Sequence, residues 1–416
     1  MVIGKGLNEG FLTTDEIHEI VLEGLNSLNL DGKRVLVIIP DATRTMPTPF
    51  LFELFGEVLQ HRVKNLDYLI ALGTHHPMND SQLSKLVGKR VRDGKVGETR
   101  IFNHAWHKPE TFAQVGTING DEISQITGGL LSQDVPIRLN KLIFDYDQII
   151  ICGPVLPHEA AGFSGGNKYF FPGIAGPEII YFIHWLGAVI TNYKVIGTMM
   201  TPTRVVIDRA AEFVKLPTAS FSFVVTHEGM AGLFFGTPKE AWQPAANLSA
   251  LKYIIYKDKP FKQILSIMPE MYDDMWTAAK GMYKLEPVAA DGGEIIIYAP
   301  HINEVSFTYG KLIDEVGYHC RDYYLGQWDR FKNYPRVVIA HSTLVRGLGT
   351  YDPHTGTETS RIQLTLATAI PAERCRKINL GYMAPSEVHP TEWQNREDEG
   401  ILVVPHAGEM LYRLMS

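Results

Sequence analysis

The chain has 416 residues, more than one hydrophobic core usually serves, so two domains are expected. Its 45% hydrophobic and 20% charged content is that of an ordinary globular protein. A net charge of −7, with no basic patch, argues against a nucleic-acid partner. Cys152, Cys320 and Cys375 are odd in number and far apart, which excludes a disulfide framework or a CxxC metal site and suits a reducing compartment. No apolar run reaches the roughly 18–20 residues of a membrane span, and MVIGKGLNEGFLTTDE lacks a basic stretch followed by an apolar core, so a cytoplasmic protein with no membrane partner is expected.

In chain order, Thr14–Leu25 reads as an amphipathic helix capped by Thr14, with Ile17, Ile20, Val21 and Leu25 on one face. Arg34–Pro40 is a continuous apolar run and reads as a buried parallel strand. Asp41-Ala-Thr-Arg44 follows it directly, and then a helix over Pro47–Gln60. Leu66–Leu72 is a second strand ending in Gly73-Thr-His-His-Pro77, and Ser81–Val87 is the helix that closes the second unit. Two strand–helix units in succession predict a doubly wound, mainly parallel α/β domain, whose ligands sit beyond the strands' carboxyl ends.

A third strand, Gln148–Gly153, leads into Pro157–Gly176, PHEAAGFSGGNKYFFPGIAG. This stretch holds His158, the glycine turn Gly162, Ser164, Gly165 and Gly166, and Lys168. Such a turn can present backbone N–H groups to an anion, or can be a loop that needs glycine only to turn. Asp41, Arg44, His75 and His158 thus occupy equivalent strand-end positions. The next segment, Pro177–Ile190, starts with proline at the first helical position and carries only Glu178, Tyr181 and His184 as ionisable groups. A helix so apolar is expected to be buried, and a buried imidazole needs a hydrogen-bond partner on each ring nitrogen or a metal.

The combination of Asp41-Ala42-Thr43-Arg44, Gly73–His75, Pro157–Lys168 and His184 resembles the lactate racemase family of nickel-pincer nucleotide enzymes. The spacing carries the likeness: ten positions from His158 to Lys168 and twenty-six from His158 to His184. The resemblance implies a pyridine mononucleotide with two thiocarboxyl groups, holding nickel and joined to Lys168 as a thioamide, with His184 as the protein's nickel ligand. It implies that His75 and His158 are the paired acid/base residues. It also implies that Asp41, Ala42, Thr43, Arg44, Ser164, Gly165 and Gly166 contact the cofactor, with Arg44 near the substrate carboxylate, and that maturation proteins are partners. Enzymes of this kind are understood to move a hydride between cofactor and substrate, which passes through a 2-oxo acid. The hydroxyl proton then needs a base on each side, and imidazole with an ordinary pKa near roughly 6.5 suits both roles.

Further on, Thr203–Leu216 reads as a helix, Ser220–Thr226 as a strand, and Lys239–Tyr256 as partly helical with a break or start at Pro244. His227 and Glu228 take no role from the resemblance. The expected division is 1–258 plus 405–416 as the N-terminal cofactor-binding domain and 259–404 as a C-terminal α/β domain, with the active site in the cleft between them. In the second domain Thr277 and Lys280 share a helical face. Relatives carry glutamine and lysine there as substrate contacts, so threonine implies more room and a substrate larger than lactate, such as a sugar-derived hydroxy acid. Gly292–Ala299 and Arg336–His341 read as strands, and Thr308–Val316, Arg361–Ala367 and Gly408–Met415 as helices. His301, His341 and His354 stand at no recognised spacing. The implied function is racemisation or epimerisation of a 2-hydroxy acid. Two alternatives are a zinc hydrolase using His75, His76, His158 and His184, and a non-catalytic binder of an anionic sugar or nucleotide.

Overall fold

The structure, a computed structural model, describes residues 2–415. It divides into two compact units: Met1–Leu156, Phe163–Ile180 and Arg204–Lys252 form one, and Pro157–Gly162, Tyr181–Thr203 and Tyr253–Ser416 the other. This differs from the expected division. The change near residue 258 falls at Tyr253, and the segment 405–416 lies with the second unit, where Leu411–Leu414 pairs in parallel with Ile254–Lys257. Among the described residues no helix is long and apolar enough to cross a membrane.

The first unit is built on an eight-stranded sheet, in the order Ile3–Gly6, Met230–Gly236, Thr218–Val225, Gln148–Pro154, Arg34–Ile39, Asn65–Ile70, Thr99–Asn103 and Lys95–Val96. The five strands from Thr218–Val225 to Thr99–Asn103 are parallel to one another, and the strands outside them pair antiparallel with their neighbours. Every residue of Gln148–Pro154 is buried, as are five of the six in Arg34–Ile39, which is why both read as unbroken apolar runs. From Arg34–Ile39 the chain builds outward through Asn65–Ile70 in one direction. In the other it later places Gln148–Pro154, so the order reverses between these two central strands. Loops at the carboxyl ends part at such a reversal and leave room for a ligand.

Helix Thr14–Asn26 is capped by Thr13 rather than Thr14: the Thr13 hydroxyl accepts from the Glu16 N–H, and the Glu16 carboxylate returns a bond to the Thr13 N–H. Helix Pro238–Tyr253 runs through Pro244 without the expected break. Its buried face, Ala241, Trp242, Ala245, Ala246 and Leu248, outweighs the one backbone bond that proline cannot make.

The second unit holds a five-stranded parallel sheet, Gly381–Tyr382, Gln363–Thr368, Ala289–Ala299, Phe261–Ile267 and Ile401–Val404. Three expectations are corrected here. Arg336–His341 is the first half of a helix, Arg336–Arg346, whose residues from Val337 to Val345 are all buried. A segment covered on every side shows no helical period, and a short β-branched run of this kind is ambiguous. Conversely, the stretch expected as helix Arg361–Ala367 contains strand Gln363–Thr368, and Gly408–Met415 contains strand Leu411–Leu414. Partner strands, which local propensity does not see, decide both.

Candidate functional site

At the carboxyl edge of the first unit's sheet, Asp41 begins the turn after Arg34–Ile39. Its Oδ1 accepts from the Thr43 N–H at 3.1 Å and the Thr43 hydroxyl at 2.6 Å, an Asx turn that shapes Asp41–Arg44. The other oxygen, Oδ2, lies 2.5 Å from His75 Nδ1. Asp41, expected among the cofactor contacts, thus pairs with a histidine 34 residues away. Burial pushes its carboxyl up, but the His75 imidazole, the Thr43 hydroxyl and Arg44 outweigh burial and hold it well below the usual carboxylate range. An ionised Asp41 places the proton on His75 Nδ1 and leaves Nε2 to take or give one, the arrangement by which a carboxylate fixes a catalytic tautomer.

A carboxyl held low in the fold stabilises it above the unfolded group's pKa of roughly 4, and that stability drains as pH falls toward the depressed folded value. Asp41→Asn should therefore cost stability at neutral pH, with the difference from wild type shrinking below about pH 4. Urea unfolding from pH 2 to 7 checks this, and a constant difference would contradict it.

The glycine turn follows strand Gln148–Pro154. Ser164 is buried, and its hydroxyl donates to the Pro154 carbonyl at 3.1 Å and accepts the Leu156 N–H at 2.9 Å. Gly165 has φ +84, and a Cβ there would stand 2.5 Å from Val155 Cγ2. At Gly166, φ is +57 and a Cβ would meet the Pro238 carbonyl at 2.9 Å. These glycines answer to backbone conformation and close packing, and Ser164 to bracing the loop. Buried Arg204, which the sequence did not flag, donates to the carbonyls of Phe163 and Gly165 and lies over the Trp242 ring at 4.3 Å. Trp242 in turn donates to the Ser164 carbonyl at 2.8 Å.

Lys168 is half-buried on the short turn Gly166–Tyr169. Its neighbour Tyr169 is buried with Arg44 and Asp41 among the charges acting on its phenol. The first unit thus brings together Asp41, Thr43, Arg44, His75 and the lysine turn. Ala42 is exposed in the same loop.

In the second unit, His158 Nδ1 accepts the Ala160 N–H at 3.2 Å and stands 3.4 Å from Glu159 Oε2. Neutral, the ring carries its proton on Nε2; a second proton, on Nδ1, would face the Glu159 carboxylate. The His158 loop packs on the helix bearing His184, where a Cβ on Gly187 would come 2.8 Å from Ala160 Cα. His184 itself is not enclosed as expected: with Pro177, Glu178 and Tyr181 it is partly exposed on a helix whose other residues, except the last, Ile190, are buried. His341, given no role from sequence, is buried and stacks on Trp276 at 3.8 Å. Burial first, and then the charge of His184, push the His341 imidazole down to about 3.

Thr277 and Lys280 lie on two successive short helices, Met275–Ala278 and Lys280–Tyr283, rather than one. The Thr277 hydroxyl bonds back to the capping Asp274, at 2.9 Å to Oδ1 and 3.1 Å to its carbonyl. The Lys280 ammonium lies over the Tyr272 ring at 4.7 Å. Among the described residues no group of three or more His, Cys, Asp or Glu side chains is placed to hold a metal.

Residues 17–197 match the family model of the lactate racemase N-terminal domain. A lactate racemase of Thermoanaerobacterium thermosaccharolyticum is 24% identical over 66% of this chain, and one of Lactiplantibacillus plantarum 29% identical over 37%. The chain spans 62% and 33% of the lengths of these relatives. A Thermotoga maritima protein of known crystal structure is 34% identical, with TM-score 0.90, covering 98% of this chain and 100% of that one. The lactate racemase apoprotein of T. thermosaccharolyticum shares the fold, with TM-score 0.69 at 18% identity over 99% of this chain and 100% of that one. Motifs, matched domain and fold agree: the chain belongs to the lactate racemase family.

Proposed function

We propose that this protein is an isomerase that racemises or epimerises a 2-hydroxy acid larger than lactate, with a nickel-pincer nucleotide attached through Lys168. The observation that carries the reading is the Asp41–His75 pair at the strand edge that also bears the lysine turn. A hydroxy acid cannot lose hydride from its carbon unless the hydroxyl proton leaves too, and an imidazole fixed by a carboxylate is built to take it.

The residues fit such a group. Lys168 is half-buried beside Tyr169, so its amine can be desolvated enough to react while remaining reachable, and His184 surfaces on an apolar helix where neutral imidazole can serve nickel. Lys168 would anchor the nucleotide and His184 would give nickel its protein nitrogen. Once bound, the group supplies a hydride acceptor that returns the hydride to either face of the carbon.

The chain's own residues handle the proton and the carboxylate. His75 takes the hydroxyl proton on Nε2 while Asp41 stabilises the imidazolium. His158 serves the opposite face as the acid: charged, it holds one proton on Nδ1 toward the Glu159 carboxylate and gives the other from Nε2 to the substrate oxygen. The Arg44 guanidinium pairs with the substrate carboxylate, a planar match that lysine would not give. At Thr277 the hydroxyl is committed to Asp274, so this position is shorter than the family's glutamine and supports a bulkier substrate. Chain produced with cofactor-maturation proteins should invert sugar-derived 2-hydroxy acids faster than lactate in a chiral assay. Inversion of none of them would reject the reading, and a preference for lactate would reject the larger substrate.

A further inference from the structure

The sequence passes through His104-Ala-Trp106 without a recognisable motif, yet the fold spends three directed hydrogen bonds on it. The Leu142 N–H donates to Asn140 Oδ1 at 3.1 Å, which fixes that amide's orientation. Asn140 Nδ2 then faces His104 Nδ1 at 3.2 Å and must donate to it. The proton of this fully buried ring is therefore on Nε2, which donates to the Ala175 carbonyl at 3.1 Å. Burial pushes the imidazole down to about 4, so the neutral form persists at ordinary pH. Two residues on, the Trp106 indole donates to the His75 carbonyl at 2.9 Å.

These bonds join two loops. One is the strand-end turn Gly73–His75. The other is Gly173–Gly176, which links the Lys168 turn to the helix starting at Pro177. They also touch directly, through the Gly73 N–H to the Gly173 carbonyl at 2.9 Å, and the Gly173 N–H reaches back to the Lys168 carbonyl at 3.1 Å. We propose that His104, with Trp106, is a positioning residue that holds these two loops in a single register. That the loops carry the acid–base imidazole and the attachment lysine rests on the functional reading above; the brace itself does not.

The test is amide hydrogen exchange on the full chain. His104→Phe keeps an aromatic ring of similar size but cannot donate to Ala175. Exchange should then quicken on the order of tenfold both at Gly176 and at Gly73, whose acceptor lies in the released loop, while Arg34–Ile39 stays protected. His104→Gln, whose amide N–H reaches the position of Nε2, should restore both. Unchanged exchange at Gly73 would show that His104 only fills space, and failure of the Gln variant to rescue would remove its hydrogen bond as the agent; either result overturns the proposal. Should the Phe variant not fold, nitrogen NMR of the wild-type chain decides: the Nε2–H tautomer of His104 from pH 6 to 8 is expected, and the Nδ1–H tautomer contradicts the brace. Absence of a Lys168 adduct in matured wild-type chain would sink the functional reading and leave these results standing.

Discussion

Lys168→Ala, made alongside the maturation proteins, should emerge as a folded chain of unmodified mass, with nickel at background and no measurable inversion of any hydroxy acid. The wild-type chain should carry the mass of the nucleotide on a peptide containing Lys168. The effect is total because the lysine is the single covalent tether in this account. Its partial exposure on a short turn lets the chain fold without it. Intact-chain mass spectrometry with metal analysis checks it, and an adduct or activity surviving the substitution would remove the lysine from the account.

The next largest effect is expected at His75. Asparagine there keeps a polar group opposite Asp41 but cannot accept the substrate's proton. Inversion should fall ~10²–10⁴-fold, the usual contribution of a positioned general base, with the Lys168 adduct retained. Both directions of the reaction should slow by the same factor, because a catalyst cannot move an equilibrium. Full activity in a fully loaded His75→Asn chain would leave the Asp41–His75 pair a structural contact. His158→Asn should behave alike.

Much of the sheet that carries these residues was legible because its strands are buried on both faces and therefore read as unbroken apolar runs. Arg34–Ile39 and Gln148–Pro154 were found this way, and proline at the first position announced helix Pro177–Ile190. The failures share a cause. Arg336–Arg346 is covered all round and so hides its helical period, while Gln363–Thr368 and Leu411–Leu414 are strands because neighbouring strands pair with them. The same holds for the candidate site. Spacing pointed to His158, Lys168 and His184, and the Gly73–His75 motif to His75, but the partner that sets a tautomer lies far off in sequence: Asp41 for His75, Asn140 for His104. Arg204 and His341 had no motif to betray them, and only the contacts of a buried guanidinium with loop carbonyls and of an imidazole with Trp276 bring them out. The cue available earlier was Asp41 itself, an acid directly after a buried strand, where a carboxylate needs a partner to justify its burial.

The central claim is that the carbon's hydrogen travels as hydride and never enters solvent, while only the hydroxyl proton passes through imidazole. A 2-hydroxy acid carrying deuterium at the inverted carbon, turned over by the loaded enzyme in ordinary water, tests it most directly. The account predicts that the opposite stereoisomer forms with its deuterium retained. Inversion with the label washed out to water would mean that a base removes the carbon-bound proton, and would contradict it.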